Sequence, residues 1–145
     1  SRGDAWMTPN DRDARRFYRL AYQRLEEGRL LLEELERPAT AIYLAGYAVE
    51  CGLKALVIDA TPRSQRDRMI GRLRGARGHD VDWLRGLARE AGLTPPTGVT
   101  SDLVFVSSWS TDLRYEPGLG DRRDAERFVA ATNRIVAWID ERIGR

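Results

Sequence analysis

The residues with the most chemistry to offer lie in one apolar stretch, Tyr43-Leu44-Ala45-Gly46-Tyr47-Ala48-Val49-Glu50-Cys51-Gly52-Leu53-Lys54-Ala55-Leu56. Read as a helix, at about 100° per residue, Tyr43, Tyr47, Glu50 and Lys54 stack along one line. Glu50 is a carboxylate in a helix whose other residues ask for burial, so it must be paired or protonated. Lys54 stands one turn on in the favourable orientation. An arginine from another helix would satisfy both oxygens better, and Arg114 is the preferred candidate. Two readings follow: Glu50 fixes helix packing through an ion pair, or the stripe is a polar binding site with Tyr43 and Tyr47 supplying ring faces and hydroxyls.

His79 is the only histidine and hence the only side chain whose ordinary pKa suits proton transfer near neutrality. Its neighbours, Gly78 and Asp80, suit a helix entrance, with Asp80 able to cap and His79 able to cap or bond locally. The single cysteine, Cys51, sits in an apolar run and reads as packing rather than as a nucleophile. With no internal disulfide available, a reducing, cytoplasmic setting is expected. One histidine and one cysteine do not make the usual zinc clusters, and no phosphate-cradling glycine loop is present. No cofactor or metal is expected. Asp121, Asp124 and Glu126 read as capping and dipole charges near a helix start.

Charge gives a qualified signal. The net charge is only +2, yet Lys54 is the sole lysine among 24 basic residues. Arginine's planar fork suits phosphates and carboxylates, although a GC-rich coding sequence produces the same bias. The run Arg66, Arg68, Arg72, Arg74 and Arg77 is the densest concentration and could hold RNA phosphates without cutting them.

These residues need elements to position them, and the pattern is helical nearly throughout. Thr8-Pro9 looks like a helix start. Phe17, Leu20, Ala21, Leu25, Leu31, Leu32 and Leu35 mark one face, and Pro38 ends the segment. Gly28 suits a place where another helix approaches closely. A second, buried helix spans about 39–60. A third, arginine-rich segment from Ser64 is broken by Gly71, Gly75 and Gly78. Asp80 or His79 opens a short helix that Gly92 closes. Residues 94–98 read as a loop, with Thr100 or Ser101 capping a helix through Leu103, Val104, Val106 and Trp109. Residues 116–120 are an irregular connection. Asp121 caps a last helix striped by Ala125, Phe128, Val129, Thr132, Ile135, Val136, Ile139 and Ile143. No stretch reaches the uninterrupted apolar length of a membrane span, so no membrane association is expected. The fold class is all-α, a helical bundle.

The run from Tyr43 to Leu56 resembles the second-helix signature of HEPN domains. Gly78-His79-Asp80 with Leu84 and Leu87 is similar to that family's histidine-aspartate helix start. Trp109 followed by Leu113-Arg114-Tyr115-Glu116-Pro117 resembles its arginine-tyrosine-proline segment, here with Glu116 inserted. The resemblance implies an up-and-down bundle of four to five helices over residues 9–145. Residues 1–8 are expected to be a disordered or appended N-terminus, with Ser1–Trp6 ahead of a native Met7. It further implies a homodimer associated with nucleotide or RNA, often beside a nucleotidyltransferase in toxin–antitoxin or defence operons. Tyr43, Tyr47, Glu50, Lys54, Arg114 and Tyr115 are the binding residues expected on this view. Catalytic members carry an arginine and a histidine with four to six residues between them and act as metal-independent endoribonucleases. Arg74 and His79 satisfy that spacing, as does Arg72 at six, but the family motif falls later in the domain, near Arg114. A binding and interaction module is therefore the favoured reading, with an Arg74/His79 nuclease as the alternative. The apolar surplus of Phe105, Trp109, Trp138 and Ile139 points the same way as the family's dimeric habit.

Overall fold

The computed structural model describes residues 11–113 and 120–143, and among these it holds six α-helices and no strand. The helices are α1 (Arg12–Glu33), α2 (Pro38–Ala60), α3 (Arg66–Leu73), α4 (Val81–Glu90), α5 (Thr97–Leu113) and α6 (Arg122–Arg142). Short 3₁₀ turns at Arg63–Gln65 and Ala76–His79 flank α3. Four helices are long and two short, as an all-α bundle predicts.

The first helix begins later than Thr8-Pro9 suggests. Asp11 is its cap, its Oδ1 accepting from the backbone N–H groups of Asp13 and Ala14 at 2.9 and 3.0 Å; Thr8 and Pro9 lie outside the described residues. Its buried line is Ala14, Tyr18, Ala21, Leu25, Gly28 and Leu32, at alternating steps of four and three. Phe17 and Leu31 only flank that line, and Leu35 is exposed because the helix has ended at Glu33. The chain turns at Glu36, a non-glycine residue at φ 49°, with the Arg37 N–H bonded back to Leu31 O at 2.9 Å. Pro38 then occupies the first turn of α2, where its missing N–H costs nothing. So short a connection makes α1 and α2 an antiparallel hairpin. They meet most tightly at Gly28, where a Cβ would stand 3.1 Å from Ala41 O.

α2 is the centre of the bundle, touching α1, α3, α4, α5 and α6. By length and composition it is apolar enough to cross a membrane, but its apolar run is interrupted by Glu50 and Lys54 and most of it is buried against its neighbours. α6 lays the expected stripe from Ala125 to Ile143 on the core, capped by Asp121, whose Oδ1 accepts from Asp124 N–H at 2.9 Å. Tyr18 ties α1 to α6 by donating its hydroxyl to Asp140, and burial is the main reason its pKa is raised.

Two details differ from the periodic pattern. α5 starts at Thr97, because Pro96 O accepts from Thr100 N–H at 2.9 Å and Gly98 is absorbed into the first turn. Val104 faces outward, 52 % exposed, while Leu103 and Val106 are buried. The apolar surplus noted above is also consumed largely within one chain. Trp138 and Ile139 are buried, and Phe105 packs between Phe128 and Trp109 with ring centroids 6.0 Å from each. Leu30, Leu35, Tyr43 and Val104 are the large apolar side chains left exposed among the described residues.

Candidate functional site

The site is built where the 3₁₀ turn Ala76–His79 lies across the middle of α2. α3 ends at Leu73, and Arg74 N–H closes its last turn on Ile70 O. The chain doubles back through Gly75 and Gly78, with Gly78 N–H bonded to Gly75 O at 3.0 Å. Gly78 is held so close that a Cβ would fall 2.0 Å from Leu73 O and 3.5 Å from Lys54 Nζ. Only glycine fits that approach. Asp80 rather than His79 caps α4, its Oδ1 accepting from Trp83 N–H at 3.2 Å. His79 is thereby free to reach sideways.

It reaches Glu50. His79 Nδ1 stands 3.1 Å from both carboxylate oxygens, and Lys54 Nζ donates to Oε2, also at 3.1 Å. Glu50 and Lys54 are 5 % and 7 % exposed, whereas the His79 side chain is 61 % exposed. A carboxylate only accepts, so His79 Nδ1 carries the proton in this contact, leaving Nε2 as the second nitrogen of a largely exposed ring. Below Lys54 lies Phe17, its ring centroid 5.5 Å from Nζ, with Arg16 at 5.3 Å from the same centroid. The arrangement fixes a largely exposed imidazole through a buried, charge-balanced acid. It can bind an anion, or exchange a proton with one.

The other residues named from sequence are distributed unevenly around this centre. Tyr47 is half-buried and Tyr43 is exposed at the far end of the stripe. Arg74 is exposed, and no hydrogen bond or ion pair joins it to His79 among the described residues. Arg72 is drawn away to stack over Trp83, 5.9 Å from its centroid. Arg114 and Tyr115 lie outside the described residues, so the preferred partner for Glu50 does too. Of the two candidate caps at this helix start, Asp80 is the one used, and His79 bonds to Glu50 instead. Phe17 had no place in the sequence reading of the site, since nothing in its spacing marks it as the floor under Lys54.

A family model for the HEPN domain matches residues 14–142, which takes in α1 through α6, the Glu50–Lys54 pair and His79. The chain belongs to the HEPN domain family. Comparison with curated proteins and with solved structures returned no match.

Within this HEPN domain Cys51 is poorly placed for covalent chemistry. It is 1 % exposed, and burial, aided by the Glu50 carboxylate, pushes its thiol up to about 11. The neighbouring Tyr47 hydroxyl is raised as well, by Cys51 first, then by burial and Glu50. The folded thiol titrates above its ordinary value of 9.0, so its contribution to stability is complete below pH 9 and is lost as pH rises through about 11. Thermal midpoints should accordingly hold steady to about pH 9 and fall above it, less steeply in Cys51→Ala. A disulfide reagent should modify Cys51 only upon unfolding. Rapid native-state modification at pH 8 would contradict the buried thiol.

Proposed function

We propose that this HEPN domain is a binding and interaction module for RNA or a nucleotide, acting as a dimer with a nucleotidyltransferase partner in a toxin–antitoxin or defence setting. One observation carries the ligand class. The whole chain has a net charge of +2, yet residues 63–79 hold six arginines against a single acid, Asp67. The excess positive charge is thus concentrated beside His79, and the remainder of the chain is net acidic. Arg63, Arg68, Arg74 and Arg77 are exposed there and meet no carboxylate within ion-pair distance among the described residues. A local positive field of this kind attracts a polyanion and makes its binding salt-dependent. Family membership supports the same ligand class.

A second reading has its own support. The Glu50 contact orients the His79 ring as a carboxylate does in acid–base dyads, which favours a metal-independent endoribonuclease using His79 and Arg74. The two readings separate in one experiment, on structured and single-stranded RNA with EDTA present. The expected result is salt-sensitive binding with no more than trace cleavage, and an Arg72→Gln/Arg74→Gln variant whose log–log salt slope falls by about 1.4. Robust cleavage by wild type that His79→Ala and Arg74→Ala each abolish would establish the nuclease instead. Absence of RNA binding by wild type at 50 mM salt would remove the ligand assignment. Sedimentation at tens of micromolar tests the dimer, which a 16.5 kDa species would exclude.

A further inference from the structure

The first helix divides its arginines in two ways. In its second half they are neutralised on the helix surface: Arg24 pairs with Glu27 at 3.1 Å, and Arg29 with Glu26 and with Glu33, the latter at 2.9 Å. In its first half, Arg12, Arg15, Arg16 and Arg19 fall at positions i, i+3, i+4 and i+7 and share one face. Every i,i+3 and i,i+4 pair among them is like-charged, which weakens a helix. Asp13 approaches Arg16 at 3.9 Å, and no carboxylate lies within ion-pair distance of Arg12 or Arg19 among the described residues. A coding bias toward arginine explains neither the clustering nor the contrast of Arg12 and Arg19 with Arg24 and Arg29. These four side chains, with Leu20 and Gln23, line a single shallow groove.

The groove is continuous with the site. Arg16 and Lys54 lie over the same Phe17 ring, and Lys54 holds Glu50, which holds His79. At the helix start, Asp11 is 3.6 Å from Arg66, joining α1 to the arginine-rich segment. From Arg12 to Arg19 the stripe runs about 10 Å along the helix.

We infer that the α1 groove is a second RNA-backbone site, so that one single strand engages the 63–79 segment and continues across Phe17 onto Arg12, Arg15, Arg16 and Arg19. This rests on the RNA reading of the site beside His79, and it adds a footprint with no base readout: guanidinium forks on successive phosphates. A strand long enough to cover both patches binds more tightly than one confined to the first, because the second contact is intramolecular.

The test uses the full chain and fluorescein-labelled oligouridines of about 4 and about 14 nucleotides, titrated between 50 and 200 mM salt. Arg12→Gln/Arg16→Gln/Arg19→Gln should weaken binding of the long oligomer on the order of 30-fold and lower its salt slope by about 2. Binding of the short oligomer should change less than about twofold. The triple variant should also melt at or above the wild-type temperature, since the removed charges repel one another, which sets a binding role apart from a structural one. If the triple variant and wild type bind the long oligomer equally while Arg72→Gln/Arg74→Gln loses it, the α1 site is refuted and the site beside His79 stands. If wild type binds neither oligomer, the underlying RNA reading fails. Equal competition by polyglutamate of matching length would make the groove a surface for acidic protein and overturn the inference.

Discussion

Glu50→Leu should lose about 3–5 kcal/mol of folding stability, measured as a shift of the urea midpoint at unchanged m-value. Its effect comes from what it leaves behind. Lys54, 7 % exposed, would keep an ammonium with its carboxylate gone, and a buried charge without its partner costs far more than the pair contributes when intact. The companion variant distinguishes this cause from simple loss of packing. Glu50→Leu combined with Lys54→Met removes both charges and should recover most of the loss, giving a coupling energy of a few kcal/mol in the double-mutant cycle. His79→Ala removes a contact to the same carboxylate from the exposed side and should cost less than about 1 kcal/mol. A Glu50→Leu loss under half a kcal/mol would show the carboxylate to be hydrated, contrary to its 5 % exposure.

Gly78→Ala is the second large effect. The added methyl would stand 2.0 Å from Leu73 O, a backbone atom at the end of α3. The turn must move as a unit, at a cost of about 2–3 kcal/mol. Displacing Gly78 also displaces the next residue, so the His79–Glu50 contact should break. The histidine ring ¹⁵N shifts should report a change in the proton's position between Nδ1 and Nε2. Gly86→Ala is the internal control: it lies within α4 with nothing inside 4 Å of the added Cβ. That substitution should stabilise by about 0.5–1 kcal/mol. Equal melting temperatures for the two variants would mean that the turn is not held against Leu73.

The bundle was readable because helix period and capping chemistry are local. Pro38, Asp121 and Gly92 act within a turn of where they stand, and the stripe on α6 is uninterrupted from Ala125 to Ile143. Where two signals competed, the reading slipped. Tyr18 is amphipathic and so did not mark the buried line of α1, although it is 2 % exposed with its hydroxyl paired to Asp140. Gly98 suggested a loop where Pro96 had already begun a helix. The candidate site was half visible. A carboxylate inside an apolar helix demands a cation, and Lys54 supplies one from the same helix. The pairing with His79 spans 29 residues and depends on the 3₁₀ turn and the glycine-mediated approach, neither of which leaves a periodic trace. Arg114, the partner that sequence logic favoured, lies outside the described residues.

Lys54 has one more consequence. It is the only lysine in the chain, and its ammonium is sealed between Glu50 and Phe17. The folded domain therefore presents no lysine side chain to acylating reagents, amine cross-linkers or acetyl-transfer enzymes. Modification of this one amine must wait for the turn bearing Gly78 and His79 to lift away. Its labelling rate is a clock for that opening, and the clock runs on the free energy of a local fluctuation rather than of global unfolding.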